Sequence, residues 1–508
     1  MIRKSLVGLA AALAIAAFGG SAAAQQSFTP QFTAATNAEP DSLDLALARD
    51  PPAAYVTLFN VYEYPWGFDQ DGNVKKTVAD WTETEDGKTI TLKLHHGVKF
   101  QSGDELTADD VIFSWRRNMA KAPFFHRHGD LIADIQAVDK YTVKFTFKRP
   151  DVDFFDNGGV SLVSKAYFDR VGEKAFVAKP VGIGPYAIAD FKPGQYIDLK
   201  RFDGYYGKKP EIASARIFFI KDDNTRVAKL QAGEVDLITA TPYNNVKSLD
   251  ASGFHSVGVD AHPTISVQFN ILNPTVPWYK REVREAIAHA IDSQAIIKNL
   301  FAGIPKHYAW LAPGEWGYDP NMKPYAYDPA LAKKLLAEAG YPNGFTMPLY
   351  YTNDYYGVKQ TTEAVVLYLQ QVGIKADVKS ISQIDILQMF AKYRDRHDLS
   401  YVGVVALPVA NVGANPLEML DLAYWSKQIF RIMKFDDLDN DIEQALATLD
   451  DAKRKEWVMK GVQVLHDEVA AIPIWDSVYE YTMKKGVEFT PVKHRLVALR
   501  LADVTMAK

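Results

Sequence analysis

The chain has 508 residues, of which 48% are apolar and 23% are charged, and its formal net charge is −5. This apolar content excludes a chain that is disordered throughout, and the slight acidity argues against a protein dedicated to nucleic acid. Cysteine is absent, which excludes disulfides, cysteine nucleophiles and cysteine-ligated metal centres. The length predicts about three domains.

The N-terminal residues follow the pattern of a secretory signal peptide. Arg3 and Lys4 form a basic start, an apolar run extends from Leu6 to Phe18, and Ala22 to Ala24 are small residues of the kind found at a cleavage site. The apolar run is too short to cross a bilayer. We therefore expect residues 1–24 to be removed, and no cysteine follows them to carry a lipid anchor. The expected location is the periplasm.

Helix and strand patterns alternate along the chain, which predicts an α/β fold with mixed sheets. From Thr89 to Leu94 apolar and polar residues alternate, as in a strand with one buried face, and Tyr141 to Phe147 repeat this period. Thr107, with Asp110 three residues later, predicts the capped start of a helix. The apolar stripe predicted on that helix consists of Val111, Trp115 and Met119.

Two further helices are predicted in the second half of the chain. An apolar stripe at helical spacing marks the first, and it consists of Val283, Ile287, Ala290 and Ile291. Asp328 suits the N-cap of the second, Pro329 suits its first turn, and Gly340 suits the left-handed residue that ends a helix. These elements fit the same fold class.

The sequence motifs of common enzyme classes are absent. There is no GxSxG, HExxH, phosphate-binding loop or nucleotide-binding GxGxxG. Pro185 also removes an N–H that the segment Gly182 to Pro185 would need to cradle an anion. The spacing of His126 and His128 would let an extended loop present both imidazoles to a ligand or a metal. Paired catalytic carboxylates leave no sequence signature, so a hydrolase with two acids stays open.

Ordered motifs cover about residues 35–490. The longest begins at Val78-Ala79-Asp80-Trp81, passes through Gly97-Val98-Lys99-Phe100 and ends at Val111, and another runs from Tyr327 to Tyr341. The shorter motifs are Glu39-Pro40-Asp41-Ser42-Leu43-Asp44, Gly182-Ile183-Gly184-Pro185-Tyr186, Gly233-Glu234-Val235-Asp236, Arg284-Glu285-Ala286 and Ala471-Ile472-Pro473-Ile474. In this order they resemble the family-5 solute-binding proteins of ABC transporters, the group that binds dipeptides, oligopeptides and nickel.

The resemblance implies an α/β, two-lobed fold of periplasmic-binding-protein type II with an additional third domain. The domains expected from it are a discontinuous domain I (25–63, 180–272 and 481–508), domain II (64–179) and domain III (273–480). Paired segments around Val267 to Ile271 and Asp476 to Tyr481 are expected to form a hinge between the lobes, and both are rich in residues that favour strands.

The resemblance also implies a function. The expected protein is the periplasmic solute-binding component of an ABC importer, which captures a small organic solute between its lobes and delivers it to a permease complex in the inner membrane. It is expected to be a monomer that catalyses no reaction and needs no cofactor, metal or nucleic acid. A secreted two-carboxylate hydrolase and a sensory or chaperone-like protein on the same fold are the alternatives from other classes.

The expected solute is an organic acid or a conjugate. Peptide binders of the family usually hold the α-amino group with an Asp that follows a Gly-Trp pair in domain III, but here Val404 stands at the Trp and Leu407 near the acid. An ammonium buried without a partner would cost several kcal/mol. A peptide ligand stays the alternative within this class, followed by a metal chelate or haem.

The candidate ligand-binding residues occupy positions similar to those that line family sites. Aromatic side chains among them offer stacking area, and an arginine can hold a carboxylate through two hydrogen bonds. No catalytic residue is assigned. The candidates are Glu39, Tyr62, Tyr64, Trp66, Phe124, Phe125, His126, Arg127, His128, Tyr355, Tyr356, Arg394, Tyr401, Val404, Asn411, Asn415 and Trp425.

Overall fold

The fold comes from a computed structural model of the chain. The residues that it describes are 28–48, 51–121, 126–157, 159–352, 356–382, 385–386, 388–389, 402–406, 416–428, 431–493 and 498–507. The predicted signal peptide, residues 1–24, lies outside them. No helix within these ranges has the length and apolar character needed to cross a membrane.

The described residues contain eighteen strands, most of them in one large sheet. The strands are β1 (Phe32–Thr36), β2 (Trp66–Phe68), β3 (Val74–Lys76), β4 (Ala79–Glu83), β5 (Thr89–Leu94), β6 (Ile132–Asp139), β7 (Thr142–Phe147), β8 (Tyr186–Lys192), β9 (Tyr196–Arg201), β10 (Ser214–Phe219), β11 (Leu237–Thr239), β12 (His255–Phe269), β13 (Thr346–Thr352), β14 (Lys375–Ile381), β15 (Val402–Ala406), β16 (Ala471–Met483), β17 (Val487–Phe489) and β18 (Val504–Met506). Ten of them form a mixed sheet in the order β14-β13-β15-β12-β16-β11-β1-β10-β9-β8, and four form the antiparallel sheet β4-β5-β7-β6. The pairs β2-β3 and β17-β18 are separate.

Helices connect and cover the strands of the two larger sheets. The α-helices are Pro51–Leu58, Ala108–Lys121, His126–Leu131, Phe154–Asn157, Lys165–Val171, Glu173–Ala178, Asp223–Gln231, Tyr243–Ala251, Arg281–Ala290, Ser293–Leu300, Pro329–Glu338, Val358–Gln371, Leu417–Met419, Asp436–Ala447 and Asp451–Asp467. The helix Leu417–Met419 continues into a π-helical stretch, Leu420–Tyr424. Short 3₁₀ turns occupy Leu45–Leu47, Pro277–Tyr279 and Leu501–Asp503. The alternation of helices and strands confirms the predicted fold class.

The first predicted strands and helix are confirmed. The strand predicted from Thr89 is β5, with its bounds unchanged, and the one predicted from Tyr141 is β7, which begins one residue later. The helix Ala108–Lys121 begins after Thr107, whose N–H and hydroxyl both donate hydrogen bonds to Asp110. The spacing of Thr107 and Asp110 therefore marks a real helix start.

The apolar stripe on that helix is shorter than predicted. Val111 and Trp115 are fully buried, but Met119 is 37% exposed. A helix turns by about 100° per residue, so eight positions overshoot two full turns by about 80°. The third residue of the stripe is therefore rotated away from the buried face.

The helix predicted after Asp328 is confirmed as Pro329–Glu338. A carboxylate oxygen of Asp328 accepts hydrogen bonds from the N–H groups of Ala330, at 3.1 Å, and Leu331, at 2.9 Å. Gly340 has a φ of +95°, in the left-handed region that ends helices. The N-cap, Asp328, and the left-handed residue after the helix, Gly340, both lie where the sequence predicts them.

Buried side chains form three large cores, named here in chain order. The first core contains Phe32 and Tyr481, the second core contains Trp115, and the third core contains Trp475. A smaller cluster around Leu230 covers the other face of the sheet beside the first core. The domain boundaries given above stay a prediction.

Two long strands, β12 and β16, connect the first core to the third. They pair antiparallel along most of their length, with Tyr481 packed in the first core and Ile472 in the third. Their register shifts between Asp260 and Thr264. The ladder between the two cores is thus interrupted near its middle, which locally weakens the pairing.

The two predicted hinge segments lie on these strands but are not opposite each other. Tyr481 pairs with Val257, whereas Val267 pairs with Ile472. The segments are offset because, in the antiparallel register, the C-terminal part of β12 pairs with the N-terminal part of β16.

Candidate functional site

Three aromatic rings follow one another near the N-terminus of the described chain. Tyr55 and Phe59, four residues apart at the end of the helix Pro51–Leu58, stack with ring centroids 4.7 Å apart. Phe59 in turn meets Tyr64 edge-on at 5.5 Å. Helical spacing brings the first two rings together. We call Tyr55, Phe59 and Tyr64 the aromatic shelf.

All three cores meet at the aromatic shelf. Burial raises the pKa of Tyr55, a hydrogen bond with Tyr64 lowers it, and the charge of Glu418 raises it again. Glu418 belongs to the short helix Leu417–Met419, whose flanking leucines pack in the third core. Gly159 precedes Val160 of the second core, and a Cβ placed on it would lie 2.9 Å from the ring of Tyr64. Segments that adjoin the second and third cores therefore both come near the aromatic shelf.

Three buried polar atoms in and beside the third core have no hydrogen-bond partners. Among the described residues, the hydroxyl of Tyr424 and the Nε1 atoms of Trp310 and Trp425 have none. The rings of Trp310 and Tyr424 meet edge-on at 5.6 Å, and Lys427 lies 5.4 Å from the ring centroid of Trp425. Each of these atoms is able to donate a hydrogen bond to a group that accepts one.

Trp310 also lines a pocket of about 410 Å³ on the third core. Its walls come from two stretches of chain, residues 307–324 and 459–463. Burial lowers the pKa of His307, which lines the same pocket. The pocket is large enough for a small organic molecule.

One cluster has the donor set of a metal site. His128, Asp151 and Asp153 are all buried, and each offers a ligand atom within 4.8 Å of the others. Imidazole and carboxylates together suit a first-row divalent cation. The ring Nδ1 of His128 also lies 2.7 Å from a carboxylate oxygen of Asp151, so hydrogen bonding within the cluster accounts for that contact without an ion.

Three of the sequence-predicted site residues have structural contacts of their own. Tyr62 is buried and donates to the carbonyl of Leu43 at 2.9 Å, and Trp66 is buried and donates to the carbonyl of Phe155 at 2.8 Å. Glu39 accepts a hydrogen bond from the N–H of Gly194 at 2.8 Å, which ties the opening loop to the turn between β8 and β9.

Of the other predicted residues, two more lie on chain segments beside the third core, and at Val404 only the backbone is described. Tyr356 is 45% exposed, and its ring meets those of Tyr243 at 5.3 Å and Phe301 at 6.1 Å. Val404 lies in β15, paired with Val267 of β12. The structure thus brings Tyr64 to the junction of the cores and places Trp425 on the chain that follows Glu418, while Tyr62 and Trp66 pack inside the first and second cores.

The remaining predicted residues lack described side chains. His126 and Arg127 lie in the helix His126–Leu131, of which only the backbone is described at these two positions. The residues outside the described ranges are Phe124, Phe125, Tyr355, Arg394, Tyr401, Asn411 and Asn415. The role of all these residues stays a prediction.

Sequence reasoning missed several residues at the junction, among them Tyr55, Phe59 and Glu418. The spacing of Tyr55 and Phe59 at i and i+4 is a signal that could have indicated paired rings. Nothing in the sequence links them to Glu418, because only the tertiary fold brings these residues together.

A family model, described as bacterial extracellular solute-binding proteins, family 5, middle, matches residues 74–425. The chain belongs to this family. It is 32% identical over 328 residues to the glutathione-binding protein GsiB of Escherichia coli strain K12, an alignment that covers 63% of this chain. The chain therefore spans 64% of the length of that curated relative.

Solved structures resemble the whole described fold. The periplasmic binding protein DppA from Helicobacter pylori, in complex with the peptide STSA, matches with a TM-score of 0.78 and 25% identity over 94% of this chain and 98% of that one. AgaA from A. tumefaciens R10, in complex with agropinic acid, matches with a TM-score of 0.77 and 25% identity over 94% and 99%. These matches confirm the predicted fold of periplasmic-binding-protein type II.

Proposed function

We propose that this protein is the solute-binding component of an ABC importer and that its solute is a small organic acid or conjugate. The observation that carries the proposal is the set of buried, unpartnered donors on Trp310, Tyr424 and Trp425. A carboxylate would accept hydrogen bonds from such groups, and an unmade bond at a buried donor is costly. The aromatic shelf would supply stacking area.

The connection between the cores supports a mechanism by closure. A solute that contacts both lobes only when they are together shifts the population toward the closed form by its differential affinity. Moving a population from 1:99 to 99:1 takes about 5.5 kcal/mol, and micromolar binding amounts to about 8 kcal/mol. Bending at the register shift between Asp260 and Thr264 would let the lobes separate without breaking a regular ladder.

The remaining parts of the proposal concern location and partners. The mature chain would begin after residue 24 and diffuse in the periplasm without a lipid anchor. It would act as a monomer, without a cofactor, and hand its cargo to a permease complex in the inner membrane. The relatives named above are binding proteins, which agrees with capture rather than catalysis.

Ligand analysis tests the proposal directly. Native mass spectrometry and mass analysis of compounds released from freshly purified protein would reveal a bound solute. Thermal shift and titration calorimetry would then compare three probes, namely agropinic acid, glutathione and the tetrapeptide Ser-Thr-Ser-Ala. We expect stabilisation by an acidic probe with no change in the probe itself. Conversion of a captured compound into product would contradict the proposal.

A peptide is the second candidate, and Glu418 is the observation that favours it. This carboxylate lies near Tyr55 of the aromatic shelf, where it could receive the α-ammonium group that an acid in domain III holds in peptide binders. N-acetylation of the tetrapeptide separates the two candidates. Binding that needs a free α-amino group would favour the peptide, whereas an acidic probe without an amine would favour the organic acid.

A further inference from the structure

We propose that a contact between the second and third cores, outside the aromatic shelf, helps set the affinity of the protein for its solute. The contact joins the turn between β4 and β5 to the loop that precedes the helix Asp451–Asp467, and its centre is Gly87 against Leu449. The proposal rests on the proposed function, because it concerns closure of the same cleft.

The turn between β4 and β5 is held in one shape by its own hydrogen bonds. The hydroxyl of Thr84 donates to Asp86 at 2.7 Å, and it accepts from the N–H of Thr89 at 3.1 Å. The N–H of Gly87 donates to the carbonyl of Thr84 at 2.9 Å. A turn fixed in this way presents a firm surface at the end of the hairpin.

The backbone at Gly87 is in close contact with the side chain of Leu449. It is buried although its neighbours in the turn are exposed, and its φ is +63°. A Cβ placed on it would lie 2.5 Å from a methyl carbon of Leu449 and 3.2 Å from Cβ of Pro150. The side chain of Leu449 therefore rests directly on the backbone of the turn, and any side chain at position 87 would displace it.

Leu449 is presented by a loop that Arg454 holds in place. The guanidinium of Arg454 donates to the carbonyls of Thr448, at 3.1 Å, and Leu449, at 3.3 Å, and it pairs with Asp451. It also lies 5.4 Å from the ring centroid of Trp316. Leu449 itself remains 43% exposed, so a large apolar side chain is held at the surface, where only the turn of the other lobe covers part of it.

Two further observations extend the contact on either side of Leu449. Val152, two residues before Phe154 of the second core, packs against the third core. Burial raises the pKa of Glu83 at the end of β4, the charge of Asp451 raises it further, and that of Arg454 lowers it. Glu83 thus lies close enough to Asp451 and Arg454 for their charges to change its pKa.

These residues would act on affinity by stabilising the closed form. A contact that exists only when the lobes are together shifts the closed population whether or not solute is bound, and the apparent affinity changes by the same factor. Loss of an apolar contact of this size should lower the ratio of closed to open molecules roughly fivefold.

The test measures the distance between the lobes. Since the chain has no cysteine, Lys144→Cys in β7 and Lys375→Cys in β14, both at exposed positions, allow a pair of spin labels to be attached. Leu449→Ser is compared with Leu367→Ser, which changes a 62% exposed leucine of the helix Val358–Gln371, whose buried side packs in the third core. We expect a short-distance population in the unsubstituted protein and in Leu367→Ser, and a ratio of short-distance to long-distance molecules that is roughly fivefold smaller in Leu449→Ser.

A second pair of variants tests the contact between Gly87 and Leu449 from the side of the turn. Gly87→Ala is compared with Gly97→Ala, whose φ is +78° but whose added Cβ would meet nothing within 4 Å. Only Gly87→Ala should reduce the short-distance population. In a chain that already carries Leu449→Ala, the effect of adding Gly87→Ala should be smaller, because the side chain that it would displace is gone. Equal distributions in each variant and its control, or no short-distance population in the unsubstituted protein, would overturn the inference.

Addition of the three probes separates this inference from the proposed function. If a probe closes the lobes equally in Leu449→Ser and Leu367→Ser, and the distributions without probe are also equal, the contact is irrelevant but capture by closure stands. If no probe binds or moves the lobes, and no compound is released from the purified protein, the proposed function fails whatever the effect of Leu449.

Discussion

Asp44 and Arg117 form a buried ion pair that ties the opening loop of the first core to the helix Ala108–Lys121 of the second. One guanidinium nitrogen lies 2.8 Å from a carboxylate oxygen, a second nitrogen contacts the other oxygen, and both side chains are almost wholly buried. Glu173 approaches the same guanidinium at 3.7 Å from a more exposed position. The pair fixes how these two cores meet.

Asp44→Asn should destabilise the protein by about 3 kcal/mol, because it leaves the guanidinium of Arg117 buried with only the distant Glu173 as a counter-charge. Urea unfolding at pH 7 measures this loss. Asp169→Asn is the control, since its ion pair with Lys165 is exposed and should contribute less than about 0.5 kcal/mol. Similar losses in the two variants would contradict the role given to the buried pair.

The stability of the protein should fall as the pH rises from about 4.5 to neutrality because of Glu480. Burial raises the pKa of Glu480 to about 7 from 4.5, with a further increase from Asp250 and a decrease from Lys306. Between these values the folded state binds more protons than the unfolded state, so the free energy of unfolding decreases with pH and levels off above about pH 7. The loss is on the order of 3 kcal/mol.

Glu480→Gln provides the test of this pH dependence. The variant should be more stable than the unsubstituted protein at pH 8, and its free energy of unfolding should change less between pH 4.5 and 7. Glu488→Gln, on the exposed side of β17, should leave the pH dependence as it was. Parallel curves for Glu480→Gln and the unsubstituted protein would assign the pH dependence to other groups.

Trp425→Phe should weaken binding of an acidic solute by about 1 to 1.5 kcal/mol, since it removes the Nε1 donor and keeps most of the ring. Titration calorimetry with the probe that gives the largest thermal shift measures the change. Trp457→Phe, on the half-buried side of the helix Asp451–Asp467, is the matched control. Unchanged affinity together with a lower melting temperature would mean that Trp425 is a packing residue.

Arg127→Ala should weaken an anionic solute by about 1.5 to 3 kcal/mol if this guanidinium makes a charge-assisted hydrogen bond to it. The comparison is with Arg170→Ala, whose guanidinium lies 3.3 Å from Asp104 at the surface. If Arg127→Ala binds the solute as tightly as the unsubstituted protein does, at both low and high ionic strength, Arg127 is removed from the candidates.

Local elements could be predicted because their causes are local. The alternation from Thr89 to Leu94 reflects one buried face, and Asp328 caps its helix through two N–H groups only two and three residues away. Errors began where a pattern was extended too far, as at Met119. The family and its fold followed from many such motifs in order, each of which fixes a turn or a cap.

The site could be predicted only in part, because the direction of a side chain depends on tertiary packing. Tyr62, Tyr64 and Trp66 alternate along one segment, yet Tyr64 reaches the junction of the cores while the other two are buried in different cores. Tyr55 and Glu418 are far apart in the sequence, and neither has a local pattern that indicates a ligand.

The composition of the first core has a consequence for how the protein matures. Phe32, near one end of the chain, shares that core with Leu499, Leu501 and Val504 near the other. Its side chains therefore cannot all be buried until almost the whole polypeptide has been synthesised, whereas the second core is built from one nearly continuous stretch. Such non-local contacts slow folding. A nascent chain should therefore expose the apolar face of β1 for longest. Shortening the C-terminus should leave the first core incomplete and the chain prone to aggregation.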